Sequence, residues 1–321
     1  MKKYNILVTG AGAIIGYGII QALRKTNFAL HIHGMDMFSD AVGQRWCDSF
    51  VQCPPASDPD YVAFLHDLIR KKQIDLAMFG VEAEVQVLAS HASQLPFDFR
   101  LLVLNDPGLI KLAQDKWELN NFLEKHGLNA IPSAVTGDYK LMVEKLGHPF
   151  LLKPRSSSAS KGQAEIFSEA DFEYWRNKAG KGFMVQEIVG DVDHEYTVGV
   201  FGLGQGAFVN PIALRRKLGR DGSTVKAEVV NIPDLVDESH KIMEKLKAVG
   251  PTNLQFRLHK NKFYLLEINP RFSSSLSIRA AFGFNEPEMC IEYYLEGQLP
   301  AARELRPGKA VRYIADDIIY L

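Results

Sequence analysis

The chain has 321 residues, 46% hydrophobic and 23% charged, with 37 basic against 38 acidic side chains for a formal net charge of −1. That length and apolar content support two or three packed units and argue against extended disorder, while the near-zero balance gives no global basic field to attract nucleic acid. Cys47, Cys53 and Cys290 are too scattered for a disulfide framework or a thiolate cage, and no apolar run approaches the ~20 residues of a membrane span, so the expected setting is cytoplasmic with no membrane partner.

The first hundred residues alternate between strand and helix signals. Ile6 to Thr9 is a short β-prone run, GAGAIIG breaks it with glycine, and Gly18 to Arg24 resumes with helical spacing. A second strand, Ala29 to Met35, ends at Asp36. Tyr61 to Lys72 reads as a helix feeding a strand at Ile74 to Phe79, and Gly80 to Ser90 as a turn and helix before a strand at Arg100 to Leu104. This alternation predicts an open α/β sheet over residues 1–104, with ligand-facing groups beyond the carboxyl ends of its strands.

A helix follows at Ile110 to His126, with Asn105 or Asp106 as its cap and Lys116 within it. The chain then changes to an α+β pattern, with strands at Pro149 to Lys153, Gly182 to Glu187 and Tyr196 to Phe201 and helices at Tyr139 to Leu146 and Ala170 to Lys178. Residues 105–190 and 191–321 are taken as two further units sharing one cleft. The last contains an irregular polar stretch from Arg215 to Thr224, a helix at Asp237 to Val249, and paired strands at Asn253 to Leu258 and Lys262 to Ile268.

Two glycine-bearing segments invite a ligand. Gly10, Gly12 and Gly16 suit a strand-to-helix turn whose amides face a ligand, but their G-x-G-x-x-x-G spacing has one residue too many for the common dinucleotide fingerprint. An NAD(P)-dependent oxidoreductase with Asp36 on a ribose is therefore the competing reading. A small-substrate or structural role for the loop is preferred, and Glu82 and Glu84 lie at the same strand end. The second segment, FLLKPRSSSASKG, sets Lys153 at a strand end before Ser156, Ser157, Ser158, Ser160, Lys161 and Gly162, which offer hydroxyl and amide donors to phosphates.

Near the carboxyl end, FYLLEINPRFSSS puts Glu267 and Asn269 on one face of a strand, and a hairpin would bring Gln255 beside them. Such an all-oxygen set suits magnesium completed by phosphate oxygens, with Arg271 as a planar cation alongside. In FMVQEIVG, backbone groups of Gln186, Glu187 and Ile188 could read a base edge, and Glu195 in HEYTVGV could accept from ribose hydroxyls. Each alone has a bland alternative as an exposed polar side chain; their order is the informative feature.

The ordered set DKWELNNFLEKHG, FLLKPRSSSASKG, VQEIVG, HEYTVGV, NLQFRL and LLEINPRFSSS resembles the ATP-grasp superfamily, especially the branch of the carbamoyl phosphate synthetase large chain. The resemblance implies an α/β and α+β fold, an amino-terminal Rossmann-like pre-ATP-grasp domain followed by a two-lobed ATP-grasp fold. It implies ATP and magnesium as cofactors, with manganese as a substitute. Lys116 and Lys153 then correspond to nucleotide-contacting lysines, Ser156 to Gly162 to the loop over the phosphates, Glu187 to the adenine-hinge acid and Glu195 to the ribose acid. Gln255, Glu267 and Asn269 correspond to metal ligands and Arg271 to the arginine beside the transferring phosphate. Gln255 departs from the acidic residue many members carry, and the phosphate loop is rich in serine instead of glycine.

The implied activity joins a small-molecule carboxylate to an amine through an acylphosphate, releasing ADP and phosphate. LRRKLGRDGST adds Arg215, Arg216, Lys217 and Arg220 as a basic strip, with Arg216 chosen as the clamp on an acidic substrate or acylphosphate. A carboxylate kinase and a non-enzymatic nucleotide-binding regulator remain as other readings, and the sequence leaves a homodimer open.

Overall fold

The structure is a computed structural model that describes residues 2–156, 162–219 and 222–318. Strands β1 (Lys3–Thr9), β2 (Ala29–Asp36), β3 (Ser49–Gln52) and β4 (Leu76–Met78) form a parallel sheet in the order β3-β2-β1-β4. Helices α1 (Ile14–Leu23), α2 (Tyr61–Lys72) and α3 (Glu82–Ser90) connect and cover it. Side chains of β1 alternate as a strand requires: Ile6 and Val8 join Ile19, Ile20 and Leu23 in one core, while Leu7 joins Leu65, Leu68 and Leu88 in another. Burial on both faces explains the unbroken apolar run in the sequence.

Strand β3 lies outside the sequence expectation, because its four residues between a 3₁₀ turn and Cys53 carry too short a pattern to read. The strand expected at Arg100 to Leu104 is instead a 3₁₀ turn at Phe99–Leu101, followed by a single parallel bridge from Leu102 to Ala77. The single helix expected from Ile110 to His126 is two, α4 (Pro107–Gln114) and α5 (Lys116–Lys125). Asp106 caps the first by accepting from the amides of Gly108 and Leu109; Asp115, in extended backbone, caps the second by accepting from Trp117 and Glu118. This break puts Lys116 in the first turn of α5.

An antiparallel sheet in the order β5-β8-β6-β7 comes next, from β5 (Ser133–Ala134), β6 (Phe150–Pro154), β7 (Ala164–Ile166) and β8 (Phe183–Glu187). Helices α6 (Tyr139–Leu146) and α7 (Glu169–Ala179) cover one face through Met142, Leu146, Phe150, Leu152 and Phe172. The largest sheet is antiparallel and six-stranded: β9 (Glu195–Gly204), β10 (Ala207–Leu218), β11 (Thr224–Val230), β12 (Val249–His259), β13 (Lys262–Asn269) and β14 (Lys309–Val311), in the order β13-β12-β9-β10-β11-β14. Helix α8 (Pro233–Leu246) packs on it through Leu235, Ile242 and Met243.

Arg215 to Leu218, expected as irregular, belongs to β10. Its charges are satisfied across the sheet: Arg215 donates to Glu228 at 2.7 Å outside, and Arg216 to Glu195 at 2.8 Å inside. Charged side chains at successive positions hid a period-2 strand.

Packing does not follow chain order. Leu109, Leu119 and Leu123 of α4 and α5 share a core with the six-stranded sheet. Phe272, Leu276 of α9 (Leu276–Ala281) and Met289 of α10 (Glu286–Cys290) share one with β1 and α1. The first and last thirds of the chain are thereby packed together, with the four-stranded antiparallel lobe facing the six-stranded sheet across a cleft. Among the described residues no helix is long and apolar enough to cross a membrane.

Candidate active site

The cleft has a volume of about 440 Å³ and takes its walls from both antiparallel sheets. One wall is β6 and β8. Lys153 on β6 is 5% exposed and its Nζ donates to Gln186 Oε1 at 2.6 Å, while Gln186 Nε2 donates to Ser133 at 2.9 Å. Burial, with Lys116 as a second cation nearby, lowers the Lys153 ammonium from its ordinary range to about 7. Burial also lowers Lys116, against the pull of Glu267. Glu187 at the end of β8 lies 3.6 Å from both His259 and Lys260, and Ile188 and Val189 continue the lining.

The other wall is one face of the six-stranded sheet. Gln255 sits opposite Glu267 in register and Asn253 opposite Asn269, so the expected hairpin forms and gathers the oxygen set. Gln255 Nε2 and Asn269 Nδ2 each donate to Glu267 Oε1 at 2.8 Å. The amide oxygens are turned to arginines: Arg216 donates to Gln255 Oε1 at 2.5 Å and Arg271 to Asn269 Oδ1 at 2.9 Å. Guanidinium has no acceptor, so these orientations follow from the partners. Arg271 also pairs with Glu82 of the amino-terminal domain.

Glu195 is buried between two arginines, its Oε1 accepting from Arg216 and its Oε2 from Arg257 at 3.1 Å. Ser156 lines an adjoining hollow of about 300 Å³ that shares Lys116, Glu267 and Asn269 with the cleft and includes Glu82 and Gln86. Gly162 has φ of 77°, a left-handed conformation that glycine takes without strain. Ser157, Ser158, Ser160, Lys161 and Arg220 lie outside the described residues.

Among the cleft residues that escaped the sequence reading are Asn253, Arg257 and Ser273. Asn253 and Arg257 lie two residues either side of Gln255 on β12 and therefore on its face, so strand parity could have found both.

The glycine loop has a different character. Asp36 closes onto it, accepting from the Gly12 amide at 2.8 Å and from Phe38 at 3.0 Å, which occupies the carboxylate that an NAD(P) reading would place on a ribose. Behind it the Thr9 hydroxyl donates to buried Glu84, whose carboxyl burial raises to about 7 against that hydrogen bond.

A family model described as "ATP-grasp in the biosynthetic pathway with Ter operon" matches residues 181–317. Formate-dependent phosphoribosylglycinamide formyltransferase of Marinobacter nauticus is 25% identical over 291 residues, covering 84% of this chain and 70% of that one. The carbamoyl phosphate synthase large chain of Methanocorpusculum labreanum is 22% identical over 306 residues, 85% of this chain but 28% of its own length. Among solved structures, N5-carboxyaminoimidazole synthetase from Staphylococcus aureus superposes with a TM-score of 0.72 at 19% identity, over 95% of this chain and 81% of that one, and has also been solved with ADP. The architecture is that of a pre-ATP-grasp domain followed by a two-lobed ATP-grasp fold. The family model covers the carboxyl-terminal part of the chain, and the chain shares its fold with solved ATP-grasp enzymes, with several branches of that superfamily represented alike among its relatives.

Proposed function

We propose that the chain is an ATP-dependent ligase that joins a carboxylate to an amine through an acylphosphate. The observation that carries this reading is the opposition of Lys153 and Lys116 to Glu267, Gln255, Asn269 and Arg271 across one cleft between two antiparallel sheets. Buried Lys153 and half-buried Lys116 both have depressed pKa values because burial disfavours their charged forms, with repulsion from Lys116 adding to the effect on Lys153, and a polyanion bound between them would relieve that cost.

The adenine would lie against Gln186 to Val189, and the ribose beside Glu195, whose carboxylate has lone pairs left after its arginines. Glu267 would anchor a magnesium ion. The donor chemistry fits, since Gln255 and Asn269 bring side-chain oxygens adjacent to that carboxylate, and they would become ligands once their oxygens leave Arg216 and Arg271. When bound, the ion would neutralise charge on phosphate oxygens.

In the first half-reaction a substrate carboxylate oxygen attacks the terminal phosphorus and the bond to ADP breaks, with Lys153 and Arg271 stabilising the moving negative charge. In the second an amine nitrogen attacks the acyl carbon, phosphate leaves and the nitrogen gives up a proton. Glu82, joined to Arg271 beside the smaller hollow, supports placing the non-nucleotide substrate on the amino-terminal side. The run LLEINPRFSSS with Gln255 favours the carbamoyl phosphate synthetase-like branch as the chain's position in the superfamily.

The test is a screen of carboxylate and amine pairs for ADP release, followed by ¹⁸O-labelled carboxylate for any active pair. Label in the released phosphate supports the acylphosphate. ADP formed without amine would make the protein a carboxylate kinase, and saturable ATP binding with no ADP formed under any pair would leave a regulator.

A further inference from the structure

Beneath the cleft lies an ion pair that the reaction above does not use. Arg279 on α9 and Glu286 on α10 are both 0% exposed, and the guanidinium donates twice to the carboxylate, at 3.0 Å from Nε and 3.0 Å from Nη2. A buried pair of this kind contributes little net stability compared with apolar side chains of the same volume, so its presence asks for another reason.

The third donor of Arg279 supplies one. Nη1 donates to Asn253 Oδ1 at 2.9 Å, and the Thr197 hydroxyl donates to the same oxygen at 2.5 Å. Neither orientation of the carboxamide is equivalent here: an arginine can only donate, so the atom facing Arg279 has to be oxygen, and the amide nitrogen faces the other way. Asn253 is itself 0% exposed, lines the cleft, and its Nδ2 has no partner among the described residues. A buried donor without an acceptor costs about 1–3 kcal/mol. Room for the device is built into the sheet, because Gly199, directly opposite Asn253 in register, lies under Arg279, and a Cβ there would come within 2.5 Å of the guanidinium.

Two more unsatisfied donors line the same cleft, Nε of Arg216 and Nε of Arg271. Among the described residues, three buried, unpartnered N–H groups thus belong to residues lining the cleft that also holds Gln255, Glu267 and Asn269, and donors of this kind suit an oxyanion. We infer that Arg279 and Glu286 are positioning residues that hold Asn253 with its Nδ2 toward a phosphoryl oxyanion in the cleft. This inference rests on the nucleotide reading above and adds to it the residue that orients the donor.

The experiment measures, by calorimetry, the affinity of inorganic phosphate for protein saturated with magnesium and ADP. In R279M/E286M, which replaces the buried pair by apolar side chains, the melting temperature and ADP affinity should stay close to wild type, while phosphate binding weakens roughly tenfold or more. A purely structural pair would lower the melting temperature and leave phosphate affinity of the folded fraction unchanged, which overturns the inference. Asn253→Asp keeps an oxygen toward Arg279 and Thr197 but turns the donor into an acceptor, so it tests the same point if the double variant does not fold. It should lose more than tenfold in phosphate affinity, and an unchanged value sinks the proposal. Wild-type protein that binds ADP but not phosphate also overturns it; failure to bind ADP at all removes the nucleotide reading and this inference with it.

Discussion

Lys153 gives the account a quantitative handle. Its ammonium is buried, sits near Lys116 and titrates at about 7, so at pH 8 about 90% of it is neutral in the unliganded protein. Contact with nucleotide phosphates favours the charged form, and at pH 8 those phosphates are already fully ionised. Binding should therefore take up about 0.9 proton at pH 8 and only about 0.1 at pH 6. The assay is titration with magnesium and ADP in buffers of different ionisation enthalpy, whose heats differ by the number of protons exchanged. Lys153→Met should abolish the uptake and weaken binding at least tenfold. The same lysine predicts a stability effect of defined sign. Because its folded pKa is below the unfolded 10.5, charged Lys153 penalises folding fully below pH 7, and the penalty fades as pH rises toward 10.5. At about 1.4 kcal/mol per pH unit that penalty is about 5 kcal/mol, offset in Lys153→Met by about 1–3 kcal/mol for the acceptor left on Gln186. The variant should thus melt several degrees above wild type at pH 6.5, with the gap closing by pH 10. Saturable ADP binding with no more than 0.3 proton exchanged at pH 8 would refute the assignment, as would a Lys153→Met protein less stable than wild type at pH 6.5.

Glu267→Gln should retain its fold and nucleotide contact but lose magnesium-dependent turnover by at least a hundredfold, since a charged ligand is replaced at constant shape; near-normal turnover would contradict its role. Glu84, raised from 4.5 to about 7, contributes stability that is present below pH 4.5 and lost as pH rises through 7, so Glu84→Gln should flatten the pH dependence of the melting temperature across that window. Gly16→Ala should destabilise the amino-terminal domain by about 3 kcal/mol or more in chemical denaturation, because a Cβ there would fall 1.9 Å from the Gly10 carbonyl oxygen.

Most of the fold was readable because its strands and helices carry strong periods. β1 is apolar on both faces, and α2 and α6 begin and end where the sequence places them. The juxtaposition of Gln255, Glu267 and Asn269 was readable for a local reason: Glu267 and Asn269 share a strand face, and Gln255 sits one hairpin away. What escaped depends on contacts distant in the chain. Arg215 to Leu218 looked like a polar loop until Glu195 and Glu228 supplied cross-strand partners. Asp115 reads as an ordinary helix residue, and only the Arg155 guanidinium beside it, together with its capping of α5, shows why the helix breaks there. Arg279 lies 26 residues from Asn253, on a helix whose pattern gives no sign of a fully buried charge.

The central claim is a cleft built for magnesium and ATP, and calorimetric titration with a non-hydrolysable ATP analogue, with and without magnesium and with NAD(P)H in parallel, tests it most directly. The account predicts saturable, magnesium-enhanced binding of the analogue and none of the nicotinamide; binding of NAD(P)H alone would contradict it.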